Sequence, residues 1–359
     1  MPLADNGSGV AAEGTVTFTG TVTASGTFNL YIGGRRVQVG VTAGDSVTTI
    51  AAALVAAVTA DPTLPVTAAN TAGVVTLTAK NAGVNGNGID IRANYYGAPG
   101  GETTPAGLTA TIVAMATGAT NPVLTTGLAA LSDEQYDFIA FPYTDTTSLN
   151  AIKAELADRW DWDRAIMGHA FAAKVDTVGN LTTFGNGRND ENTSVVGIYN
   201  TPTPAEEIAA AVTAQVGLAA SNHPARPFGT LPLVGVKAPP KPDLFTTSER
   251  DTLYYDGISC TLTQDDGTVR LDRLITTYQQ NAFSVPDASY LDYNTRAQLA
   301  YIRMTYMYKF GLKFQAGRFI LVGDNVKNPN NYQIRPKDIK AEAVAIYGLL
   351  IDHGVCENM

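Results

Sequence analysis

Between residues 136 and 220, short apolar runs rich in β-branched and aromatic residues alternate with longer runs of helical spacing. This leaves few architectures open, because joining parallel strands takes a long crossover, usually a helix. Strands are predicted over residues 136–141, 164–171 and 194–199. A helix capped by Ser148 carries Leu149, Ile152, Leu156 and Trp160, and residues 174–183 form a helix or long turn. An Ala-rich helix follows over 204–220, with Glu206 and Glu207 in its first turn, where the helix dipole favours acids. The expected product is a largely parallel sheet flanked by helices.

A second constraint follows the proline-rich residues 232–242. Two alternating runs flank Asp265-Asp266-Gly267, a hairpin signal because such a turn needs the positive φ that glycine tolerates. Ile258, Cys260 and Leu262 share one face of the first run, and Val269, Leu271 and Arg273 a face of the second. The second run continues through Leu274, Ile275, Thr276, Thr277 and Tyr278. It is too apolar for a free hairpin, so one face is expected to be covered by the rest of the chain.

Residues 14–117 read differently. Arg35, Arg36, Lys80 and Arg92 are their only basic residues, and Thr, Val, Ala and Gly dominate. Period-two alternation marks strands near 15–23, 28–32, 36–39, 66–68, 74–79, 89–92 and 108–115. Val47, Ile50, Ala51, Leu54, Val55 and Val58 fall on one helical face, with Asp45 or Ser46 as N-cap. The reading is a mostly antiparallel β module with one helix across it, at 14–117. Residues 118–122, small and polar before Pro122, separate it from an α/β domain at 118–359.

At the other end, Asp287 and Ser289 are N-cap candidates for a helix whose stripe is Leu291, Thr295, Leu299, Ile302, Tyr306 and Phe310. Arg296, Arg303, Lys309, Lys313 and Arg318 lie where no acid occurs between Asp292 and Asp324. They read as a solvated helix face or as a basic contact surface for an acidic neighbour. A last amphipathic helix carries Ile339, Ala343, Ile346 and Leu350.

The net charge of −9 argues against a general nucleic-acid binder, which needs a basic surface to displace counterions. No apolar run approaches the ~18 residues of a membrane span, and the first residues lack a secretion-signal pattern, which points to a chain made and kept in a cytoplasm. Cys260 and Cys356 have no CxxC or disulfide spacing, so a reducing compartment is expected.

Candidate reactive groups resolve into structural roles. Gly44-Asp45-Ser46 has no histidine in its module to activate a serine. Gly185-Asn186-Gly187-Arg188 lacks both the dinucleotide fingerprint and the P-loop ending. His169, His223 and His353 stand in no HExxH or GxSxG context, and Asp324, Asn325 and Asn328 lack the spacing of a calcium loop.

The Asp-Gly turn, the strand Arg273-Leu274-Ile275-Thr276-Thr277-Tyr278, then Asn281, Asp287, Ser289-Tyr290 and a tyrosine-rich helix resemble the Mu-like tail sheath proteins of contractile phages. The order of elements from 118 to the end supports the likeness. The resemblance implies a subtilisin-like core fold and a β module inserted as an outer decoration. It implies a structural protein, not an enzyme, with no catalytic residue, cofactor or metal. Its partners would be other copies in stacked hexameric rings, the tail tube protein, the baseplate and the tail terminator. It would reside in the virion tail, contracting to drive tube penetration and genome ejection. Members normally extend further at both ends, so this sequence is expected to be a core without one or both terminal arms, monomeric or weakly associated. Two other readings stand beside it. One is a hydrolase-like α/β enzyme using the strand ends at 142–145, 172–174 and 200–202. The other is a carbohydrate-binding adhesin using Tyr95-Tyr96 on the β module.

Overall fold

The computed structural model describes residue 3 and residues 5–357. The N-terminal part comprises β1 (Ala11–Gly20), β2 (Gly26–Ile32), β3 (Arg35–Val41), α1 (Val47–Ala60), β4 (Val66–Thr71), β5 (Val74–Ala82), β6 (Ile91–Ala93) and β7 (Leu108–Ala116). They form a four-stranded antiparallel sheet β4-β5-β1-β7 and a three-stranded one β3-β2-β6. Alternation sends Phe28, Leu30 and Ile32 inward with Val16, Phe18 and Leu77, and α1 adds Ile50, Leu54 and Val58 to this core. Ser46 caps α1 by accepting from Thr49 N at 3.1 Å.

The second part supplies α2 (Thr125–Ala129), β8 (Phe138–Ala140), α3 (Thr146–Trp160), β9 (His169–Val175), α4 (Val178–Asn186), β10 (Thr193–Ile198), α5 (Ala205–Asn222), α6 (Thr247–Tyr255), β11 (Ser259–Thr263) and β12 (Val269–Arg273). Their sheet runs β12-β11-β10-β9-β8, parallel except for the β11–β12 hairpin. One face packs Phe171, Val196, Val212 and Leu271 under α5, and the other packs Ile152, Leu181, Ile258 and Cys260 under α3, α4 and α6. The edge of β12 is closed by residues 230–233: Thr230 N donates to Leu271 O, Leu271 N to Leu231 O, and Leu233 N to Val269 O. Pro232 has no N–H to offer a further strand, which blunts this edge. The chain ends with α7 (Tyr293–Phe310), β13 (Ile320–Leu321), β14 (Gln333–Ile334) and α8 (Pro336–Asp352).

Several sequence expectations need correction. The 164–171 strand begins five residues later, at His169. Arg164 is drawn aside by carboxylates, 3.1 Å from Asp133 and 2.7 Å from Asp158. Asp145, not Ser148, caps α3, accepting from Ser148 N at 2.9 Å. Residues 174–183 divide between the end of β9 and α4, with Thr177 as the cap. Asp287 and Ser289 bond each other in a turn, and Asp292 precedes α7. In the hairpin the register shifts between Cys260 and Thr261, so Leu262 loses the buried face and is 36 % exposed. Cys260 is fully buried as a small apolar residue, its thiol pushed up to about 12 by desolvation.

Helix α6 was not predicted, although its start carries a capping box: Thr246 Oγ1 accepts from Glu249 N, and Glu249 accepts from Thr246 N at 2.7 Å. Thr246→Ala is expected to cost about 1 kcal/mol in urea unfolding. An unchanged midpoint would show that α6 is held by packing alone.

Candidate functional site

In an open parallel sheet, ligands usually bind beyond the C-terminal strand ends. Here two of those ends are covered by the β layers. The β2–β3 turn uses Gly33 and Gly34 with φ of 55° and 76°, and a Cβ on Gly33 would sit 3.1 Å from Pro204 Cγ. Arg35 reaches Glu207 at 2.9 Å, and Arg92 Nη2 reaches Asn200 Oδ1 at 3.0 Å just past β10. Asn85 Nδ2 donates to Pro142 O at 2.8 Å just past β8.

Aromatic side chains complete the contact. Lys237 Nζ stands 5.9, 5.6 and 5.6 Å from the ring centroids of Tyr31, Tyr95 and Tyr96. Tyr95 also donates to Ala238 O at 2.6 Å, and Tyr31 to Glu102 Oε1 at 2.5 Å. Tyr95 is therefore turned onto the α/β part, while Tyr96 beside it stays 54 % exposed.

The other candidates fall into local roles. Asp45 Oδ2 accepts from Thr42 N at 2.7 Å beside the Ser46 cap. Gly185 O and Arg188 O accept from Gln279 Nε2 at 2.9 and 3.2 Å, which ties the Gly-rich loop to the segment after the hairpin. Asp324 Oδ1 accepts from Lys337 N at 3.0 Å. Among the described residues, no group of three His, Cys, Asp or Glu is placed to hold a metal ion.

The basic stretch is not a continuous contact surface. Arg296 is buried, its guanidinium 4.1 Å from the Trp160 ring centroid. Arg303 donates to the Trp160 and Asp161 carbonyls, and Lys313 pairs with Glu342. α7 and the segment after it expose the apolar Met304, Met307, Tyr308, Leu312, Ile320 and Leu321, with Lys313 and Arg318 among them. The three histidines, far apart in sequence, line one cleft of about 570 Å³ together with Arg296, Tyr293 and Trp160. His223 Nε2 lies 2.9 Å from His353 O, joining the ends of α5 and α8. No sequence motif announced this convergence.

The family profile described as phage tail sheath protein central domain matches residues 117–277. The Mu-like prophage FluMu tail sheath protein of Haemophilus influenzae is 36% identical over 358 residues, covering 100% of this chain and 72% of that one. The chain belongs to the phage tail sheath family. Members of this family are structural tail proteins, so the sheath chain is a structural component of a phage tail and not an enzyme. Among solved structures, the sheath tail protein of Desulfitobacterium hafniense has a TM-score of 0.46 at 13% identity, over 98% of this chain and 73% of that one. The sheath tail protein Lin1278 of Listeria innocua has a TM-score of 0.47 at 13% identity, over 98% and 72%.

Proposed function

We propose that this sheath protein assembles as stacked hexameric rings around a tail tube, and that their contraction drives tube penetration and genome ejection. The observation that carries the reading is the identity to a tail sheath protein along the whole chain. Residues 118–359 would be the lattice-forming core, with the subtilisin-like arrangement of the family, and 14–117 an outer module. Tail tube, baseplate and tail terminator would be its partners, and host cytoplasm its place of synthesis.

Physical features agree with a life spent in contact with other chains. The exposed apolar side chains of α7 and its continuation form the kind of surface that soluble monomers rarely leave open. A non-closing stack needs two different surfaces per subunit, and this chain has one apolar end and one β-module end. Contraction would be a rigid-body rearrangement between two packed states, its energy stored at assembly. The clasp of Lys237 by three tyrosines would make the β module move with the core.

An antibody raised against residues 14–117, applied to phage particles with gold label, is the direct test. Label is expected along the whole tail shaft, over a shorter length in contracted tails. Label confined to the head or to one point on the tail would overturn the proposal.

A further inference from the structure

Arg296 of α7 is 6 % exposed, yet among the described residues no carboxylate lies within 4.0 Å of its guanidinium. Its hydrogen bond from Nη2 to Asn192 Oδ1 is to a neutral group, and one face stacks on Trp160. A buried cation normally has an anionic partner, because removing the charge from water is costly. The acids that act on it, Glu191 and Asp190, do so only through space.

His169 gives a second, independent sign. Its Nε2 is 2.9 Å from Ser194 Oγ, a fully buried hydroxyl with no other partner. In either neutral tautomer this pair leaves one buried polar hydrogen, on Nδ1 or on the hydroxyl, without an acceptor among the described residues. Nδ1 is buried and has no hydrogen-bond partner. A buried donor left unmade costs the full desolvation of that group.

Both residues line the same cleft of about 570 Å³, between the N-terminal ends of β8 and β9 and the helices α5 and α7. Its walls are otherwise largely aromatic and apolar, with Trp160, Tyr293, Tyr301 and Met304. Among the described residues Asp137 is the only acid lining it, at the rim beside β8, where its Oδ1 accepts from Gln135 Nε2 at 2.7 Å.

We infer that this cleft is a carboxylate-binding site, that it takes an acidic side chain on an apolar stem, and that a second copy of this chain supplies that side chain. The guanidinium without an acidic partner is complementary to a carboxylate, and the walls to its stem. The source follows from continuity with the exposed apolar face: Met304 of the cleft wall leads into Met307, Tyr308 and Leu312, the surface a neighbouring subunit would cover in a stack of copies. The second-copy assignment rests on the sheath reading. The carboxylate site itself does not.

Trp160 and Trp162 are the only tryptophans, so Trp162→Phe leaves Trp160 as the sole emitter, stacked on Arg296. Phenylacetate titrated into that variant is expected to change Trp160 emission with saturation. The neutral isostere 2-phenylethanol is expected to bind at least about tenfold more weakly. Arg296→Met should erase the difference between the two probes, and Arg296→Lys should keep most of it. Equal response to both probes, or a difference that survives in Arg296→Met, overturns the site. Should Arg296→Met not fold, the two probes and Arg296→Lys still decide. Sedimentation velocity of the unmutated chain then tests the source. Self-association weakened by phenylacetate supports a second copy. A chain that shows no weak self-association even at the highest concentration reached, or that associates regardless of phenylacetate, overturns that assignment and leaves the probe result standing for the site.

Discussion

Phe171→Ala is expected to lower the unfolding free energy by about 3–5 kcal/mol, the range for deleting a fully buried aromatic ring. Phe171 is 0 % exposed at the middle of β9. Its ring centroid lies 6.4 Å from that of Phe138 on β8, 5.2 Å from Tyr293 on α7 and 4.8 Å from His169 two residues before it. The cavity would open between sheet and helix, where neither can collapse inward without breaking strand pairing or moving α7. Phe171→Leu keeps most of the volume and should recover much of the loss. Leu218→Ala, on the exposed side of α5 at 61 % exposure, is the control and should cost no more than about 0.5 kcal/mol. Urea midpoints of the three variants decide the matter. A Phe171→Ala protein as stable as the Leu218→Ala control would mean that β9 is not the hub of this core.

The centre of the fold was legible in the sequence because its signals are local. Runs such as Val195-Val196-Gly197-Ile198 with helical spacing between them need no distant information, and each of the three predicted strands overlaps one that forms. Boundaries failed where a distant group outbids local propensity. Arg164 sits next to a β-like run, but carboxylates from α3 and the preceding loop hold it outside the sheet. Leu262 alternates correctly with Cys260, yet a one-residue register shift separates their fates, and pairing register is not written in either strand alone. The basic run after Asp292 departs from its sequence pattern for the same reason. A charge pattern cannot show that a tryptophan 136 residues earlier lies under Arg296 and draws the guanidinium inward. The α6 capping box is a local signal, Thr246 with Glu249 three residues on. The cleft with its three histidines was not readable, since its walls come from β8, β9, α5, α7 and the end of α8.

His169 should make stability fall as pH drops below about 6.5, in a way that His169→Gln removes. The imidazole is 3 % exposed, and burial, aided by the Arg296 cation, holds its pKa well below the ordinary value. The unfolded chain takes up the proton near pH 6.5, whereas the folded chain cannot until much lower pH. Between these two points the unfolded state binds more protons, so stability rises with pH across that window and is lost as pH drops. Above about pH 6.5 both states are neutral and the slope vanishes. The limit for one group is about 1.4 kcal/mol per pH unit. Asp190 and Glu206, raised by burial, act with the opposite sign at lower pH, but they are present in both proteins and cancel in the difference. At about pH 7.5 the glutamine variant should be the less stable, having lost the ring contacts with Phe171 and Tyr293 at 4.8 and 4.5 Å. Below about pH 6.5 the gap should close, because only the histidine protein resists a proton that its unfolded chain accepts. A gap that stays constant down to about pH 5 would mean that the folded imidazole protonates as easily as the free one. The buried ring would then have to be reached by water or by an anion from the cleft.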